Sequence, residues 1–104
     1  MAKVVWTEPA LSDLQSIIEF IAKDSHQYAE RLGFHIVQAP QRLSVFPYSG
    51  RIVPELNDSS IRELIYSSYR IIHVIRPTAS YIIAILHSSR DLLQHIVPGE
   101  WDVT

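Results

Sequence analysis

Three runs of β-branched and aromatic residues crowd the second half of the chain: Ile61 to Tyr66, Tyr69 to Ile75 and Tyr81 to Leu86. Only Ser67-Ser68 separates the first two, and only Arg76-Pro77-Thr78-Ala79-Ser80 the last two. Connections that short join antiparallel neighbours, because a parallel pair needs a crossover of about a dozen residues or more. The sequence therefore predicts a three-stranded antiparallel meander, and whatever else folds must pack on it.

Upstream the hydrophobic period changes from two to helical. Leu11, Leu14, Ile17, Ile18, Ile21 and Ala22 recur at spacings of three and four, with Asp13, Gln15, Ser16, Glu19 and Lys23 filling the other side. That pattern predicts an amphipathic helix over 8–24. Thr7-Glu8-Pro9 supplies its start, with Thr7 as N-cap and Pro9 in the first turn, where a missing backbone N–H costs nothing. Val4-Val5-Trp6 before it reads as a short strand.

After a break at Asp24-Ser25-His26, the residues Tyr28, Leu32, Ile36, Ala39, Leu43 and Phe46 continue the helical spacing. Pro40 interrupts this second helix, since an interior proline removes a donor and clashes with the preceding turn, and a kink or split is expected near 36–40. Residues 50–60, with Pro54 and Asn57-Asp58-Ser59-Ser60, read as a connecting loop. Asp91 to Ile96 has room for a last helical turn. The expected order is β-α-α-β-β-β, a helical hairpin on one face of a mostly antiparallel sheet, the α+β class.

At 104 residues, with 47% apolar and 19% charged residues, the chain suits one packed domain, expected over 1–97 with a loose tail at 98–104. No apolar run approaches the roughly 20 residues that cross a bilayer, and the start lacks the features of a signal peptide, so a cytoplasmic protein with no membrane contact is expected. The absence of cysteine excludes disulfides, thiolate catalysis and cysteine-based zinc sites. The five histidines lack metal-ligand spacing, no nucleotide-binding glycine motif occurs, and neither metal nor cofactor is expected.

A net charge of −2 disfavours nucleic-acid binding through bulk electrostatics. Every basic residue of 46–97 is nevertheless an arginine, the side chain suited to bidentate contacts with phosphate or carboxylate. Period two places Arg62, Leu64 and Tyr66 on one face of the first strand, and Tyr69, Ile71, His73 and Ile75 on one face of the second, with Arg70 opposite. Tyr81, Ile83, Ile85 and His87 are expected to share a face of the third, with Arg90 just past its end. Arg51, Arg62, Arg70 and Arg90 are thus candidate target-binding residues. Arg62, Arg70, His87 and Arg90 are the set a nuclease can use, with His87 passing a proton. For each arginine the plainer reading is a solvated charge or a salt-bridge partner. His73 reads as a hydrogen-bonded packing residue, and His26 and His35 have no chemistry-bearing neighbours.

Five segments together resemble a known family: Val5-Trp6-Thr7-Glu8-Pro9-Ala10 with Asp13-Leu14 and Ile17, Phe46-Pro47-Tyr48-Ser49-Gly50-Arg51, Arg62-Glu63-Leu64, Tyr69-Arg70-Ile71-Ile72-His73, and Ile85-Leu86-His87-Ser88-Ser89-Arg90-Asp91. Their order and spacing over about residues 4–95 are similar to the RelE/ParE toxins of type II toxin–antitoxin (plasmid stabilisation) systems. The resemblance implies a cognate antitoxin protein, a toxin–antitoxin hetero-oligomer, and one of two targets. ParE-like members poison DNA gyrase, and RelE-like members act as mRNA interferases, cutting messenger RNA on the ribosome. The Gly50-Arg51 turn, the Tyr69-Arg70-Ile71-Ile72 strand and the His87-x-x-Arg90-Asp91 ending resemble the ParE group more closely. The only lysines, Lys3 and Lys23, lie outside the sheet region where RelE-like members use several. Gyrase poisoning is thus the leading expectation, and ribosome-dependent cleavage the alternative.

Overall fold

A computed structural model describes residues 2–96 of the chain; the expected loose tail at 98–104 lies outside the described residues. The elements are β1 (Lys3–Trp6), α1 (Glu8–Ala22), α2 (His26–Gln38), a 3-10 helix (Ala39–Ser44), β2 (Arg51–Ile52), β3 (Ile61–Tyr66), β4 (Tyr69–Ile75), β5 (Ala79–His87) and α3 (Leu92–His95). They form one five-stranded sheet in the order β1-β5-β4-β3-β2. The pairs β2–β3, β3–β4 and β4–β5 are antiparallel, while β1 lies parallel to β5.

Both helix starts are built as side-chain caps. The Thr7 hydroxyl oxygen accepts from the Ala10 N–H at 3.4 Å and its O–H donates to the Ile82 carbonyl at 2.7 Å, so one residue caps α1 and ties it to β5. Ser25 accepts from the Tyr28 N–H at 3.1 Å at the head of α2. The expected interruption at Pro40 falls at the junction of α2 with the 3-10 helix, where proline occupies the first turn and its absent donor is no loss. Gly33 brings the two helices close: a Cβ there would come within 2.8 Å of Ile18 Cδ1.

The sheet is apolar on both sides. Toward the helices, Leu64, Ile71, Ile82 and Ile85 pack with Leu14, Leu32, Ile36 and Leu43, and Ile17 and Ile21 lie partly buried against them. Away from the helices, Ile61, Ile72, Val74, Ile83 and Leu86 form a second cluster, roofed by Val53 and Leu56 of the 50–60 connection and by Leu92 of α3. The helical hairpin covers one face, and a loop with a single helical turn covers the other.

Besides the earlier start of β5 at Ala79, inside the expected connection, two features differ from the expectation. The 50–60 segment is not only a loop, because Arg51 and Ile52 pair with Glu63 and Arg62 as an edge strand. The alternation along β5 also breaks. Ile72 pairs with Ala84 but His73 with Ile82, so Ile83 is an extra residue in the ladder. This bulge turns Ile83 to the outer cluster with Tyr81 and leaves Ile85 facing the helices, so Tyr81, Ile83, Ile85 and His87 do not share one face.

Candidate functional site

The four candidate arginines do not gather their guanidinium groups at one solvent-facing site. Arg62 projects to the helix side and is spent on a loop: its Nε–H donates to the Ser59 carbonyl at 3.0 Å, its Nη1 donates to the Gly50 carbonyl at 3.1 Å, and its guanidinium lies 5.1 Å from the Tyr48 ring centre. Gly50 must be glycine for this approach, since a Cβ would meet the Glu63 carbonyl oxygen at 2.6 Å. Arg51, at the sheet edge, has a side chain 62% exposed and pairs through Nε with the buried carboxylate of Glu63.

Arg70 points to the outer face and is buried. Its Nε–H donates to Glu63 at 2.6 Å, its Nη1 and Nη2 fork onto Glu55 at 2.7 Å each, and Nη1 also donates to the Arg90 carbonyl at 2.9 Å. Hydrogen bonding from Arg70 holds the Glu55 carboxyl at about 2, well below the ordinary 4.5, against the opposing effect of burial. The bond to Glu55 raises the Arg70 guanidinium further above its own high value. Its donors are turned into the protein rather than toward solvent.

His87 and Arg90 lie together at the end of β5. They flank an open groove of about 340 Å³ whose walls include Ile17 and Phe20 of α1, Tyr69 of β4 and Ile85 of β5. Phe20 is 70% exposed. The Tyr69 ring meets His87 edge-on, with centroids 5.7 Å apart. Burial holds the Tyr69 phenol above its ordinary value, with a smaller effect from Tyr28. His87 Nδ1 accepts from the Ser89 N–H at 3.1 Å and lies 2.8 Å from the Ser89 hydroxyl. A backbone N–H on Nδ1 makes that nitrogen an acceptor and occupies it within the turn.

Three further residues shape this corner through contacts that no local pattern announces. β1 pairs with β5 only as far as Ile82, which leaves the Ile85 N–H on an open edge, and Asp13 of α1 accepts it at 3.0 Å. The same Asp13 oxygen lies 2.9 Å from His95 Nε2. Glu55 accepts from the Leu92 N–H at 2.8 Å. An acid on the polar side of a helix, or inside a turn-rich loop, looks like any solvated charge until the fold brings a donor to it. His73 is buried as expected but not hydrogen-bonded: neither ring nitrogen has a partner among the described residues. Among those residues no group of three or more His, Cys, Asp or Glu could hold a metal ion, and no helix is long and apolar enough to cross a membrane.

Proteins similar to this chain include toxins of toxin–antitoxin systems. A curated relative, Toxin RelE2 of Caulobacter vibrioides, is 32% identical over 91 residues, spanning 86% of this chain and 99% of its own. Among solved structures, the chromosomal ParDE system of P. aeruginosa superposes with a TM-score of 0.67 at 19% identity, over 84% of this chain and 96% of that one. The RelBE2 toxin–antitoxin complex of Mycobacterium tuberculosis gives 0.62 at 20% identity, over 83% and 96%. Both likenesses bear on the fold. Residues 4–92, from β1 to the first residue of α3, match the model of the ParE toxin of type II toxin–antitoxin systems, and the chain therefore belongs to that family, within the RelE/ParE superfamily.

Proposed function

We propose that this toxin arrests growth by holding DNA gyrase in an inactive complex through the groove bearing His87 and Arg90. The observation that carries the reading is the His87–Ser89 bond. A general base needs a nitrogen free to take its substrate's proton, and His87 Nδ1 is already engaged by the Ser89 N–H. A gyrase poison needs no proton transfer, only binding energy at a surface. Exposed Arg90, beside exposed Phe20, can supply a charge-assisted contact of ~1–3 kcal/mol when partly desolvated. Arg51, on the β2 edge strand with its side chain 62% exposed, is a secondary contributor, and Arg62 of β3 supports it by holding the Gly50 turn. The match to the ParE family model supports the same target.

The curated relative named Toxin RelE2 favours a second reading, ribosome-dependent mRNA cleavage. His87, Arg90 and the Tyr69 ring would then form the site. Plasmid supercoiling by purified gyrase and RNA cleavage on programmed ribosomes, run with the same toxin, distinguish the two. Under the leading reading His87→Gln keeps its toxicity and Arg90→Ala loses most of it. A nuclease deprived of its base loses ~10²–10⁴ in rate, so a folded, harmless His87→Gln with cleavage by the parent would install the second reading.

A cognate antitoxin is part of the proposal, since the two solved neighbours are parts of toxin–antitoxin systems. The helical hairpin carries exposed Leu11, Phe20, Tyr28 and Phe34, an apolar surface fit for an extended or helical segment. The outer edge of β2 is the alternative docking place. Co-expression with the neighbouring gene product should restore growth and yield a complex; without either, the partner assignment fails.

A further inference from the structure

Arg90 has an exposed side chain on a short turn between β5 and α3, and such turns do not hold a guanidinium in place by themselves. Its main chain is nevertheless fastened from beneath. The Arg90 carbonyl accepts from Arg70 Nη1 at 2.9 Å, and two residues on, the Leu92 N–H donates to Glu55 Oε2 at 2.8 Å. Arg70 and Glu55 are themselves locked in a two-pronged pair at 2.7 Å, and Arg70 is anchored to the sheet by buried Glu63. A rigid strand, a loop carboxylate and the turn thus share one network. Buried charges in the outer cluster are costly for a fold that needs only stability, because well-packed apolar residues serve as well or better.

We infer that Arg70 and Glu55 are positioning residues, which touch no target and set the direction of Arg90 by gripping its own carbonyl and the backbone N–H two residues beyond it. This rests on the reading of the Arg90 groove as the toxic surface. It also separates the roles of two arginines alike in sequence: Arg90 makes contact, and Arg70 aims it.

The test is a mutant cycle on the full chain, expressed from a titratable promoter in a host without the antitoxin. Growth-arrest potency per amount of toxin is measured beside the thermal midpoint of each purified variant. Glu55→Gln keeps shape but weakens both the grip on Arg70 and the acceptor for Leu92. It should lower potency about tenfold, the scale of coupling between residues of one network. In an Arg90→Ala background the same change should cost no further potency, while still lowering the thermal midpoint by the same amount. A merely structural Glu55 would depress potency in both backgrounds. Arg70→Lys, which keeps the charge but not the fork, should repeat the pattern and serves if Glu55→Gln fails to fold. Independent losses from Glu55→Gln and Arg90→Ala overturn the positioning role, as does full potency of Glu55→Gln beside a weak Arg90→Ala. Full toxicity of Arg90→Ala overturns instead the assignment of the toxic surface, and this inference with it.

Discussion

His73 is the residue whose surroundings conflict most with its chemistry. It is fully buried on the helix side of β4, with both ring nitrogens unpaired among the described residues, and the guanidinium groups of Arg62 from β3 and Arg42 from the 3-10 helix act on it. Burial first, and those two cations second, pull its pKa down to about 4 from an ordinary 6.5. Between these values the unfolded chain takes up a proton that the folded chain refuses. The contribution to stability is therefore complete above 6.5 and declines as the pH falls toward 4. The shift corresponds to ~3 kcal/mol at most. Glu55 adds a second loss at lower pH, because its carboxyl is held down at about 2 and its contribution, complete above 4.5, declines as the pH falls from there toward 2. His73→Leu replaces a partnerless polar ring by an apolar side chain, which costs little or even stabilises at neutral pH. Urea titrations from pH 7 to 4 should show a flatter stability curve for this variant than for the parent. Parallel curves would mean that another group carries the upper acid transition.

Among the elements, β3 and β4 match the two runs of β-branched and aromatic residues from end to end, because there local pattern and tertiary pairing agree. They part at β5, which begins at Ala79 rather than Tyr81. Ala79 and Ser80 have little strand preference of their own, and it is pairing with Lys3 and Val4 of β1 that draws them into the sheet. The bulge at Ile83 was equally hidden, since one extra residue in a ladder changes neither composition nor local pattern. β2 is two residues inside a turn-rich stretch, too short for any period to register. The Ser67-Ser68 turn was legible as a hairpin, but not its cost: Ser67 has φ of 53°, a left-handed conformation that suits glycine. Ser67→Gly should thus raise stability by ~0.5–1 kcal/mol through relief of that strain, read as a higher urea midpoint with an unchanged slope. A lower midpoint would show that the greater freedom of glycine in the unfolded chain outweighs the strain.

At the scale of the whole molecule, the site was less legible than the fold. His87 and Arg90 could be placed at a strand end by counting along β5, whereas Asp13, Glu55 and His95 act through partners 72, 37 and 82 residues away in sequence. The same long-range economy bears on how the molecule unfolds. The helix-side and outer clusters are separated by a single sheet, and β4 and β5 contribute to both: Ile71, Ile82 and Ile85 to one, Ile72, Val74, Ile83 and Leu86 to the other. Neither cluster can lose its wall without exposing the other, so we expect one cooperative domain rather than two units that melt apart. Leu92 tests this, because it is fully buried, belongs to α3 and is a member of the outer cluster. Removing its side chain should cost about 2–5 kcal/mol, which at the ~4–8 °C per kcal/mol of a domain this size lowers the melting midpoint by ~10 °C or more. If the sheet couples the clusters, far-ultraviolet and near-ultraviolet circular dichroism of Leu92→Ala shift together and the transition stays single. A variant in which α3 and the outer cluster melt first, ahead of an intact helical hairpin, would show that the outer roof is a separable layer and that the groove beside His87 and Arg90 can loosen while the core stands.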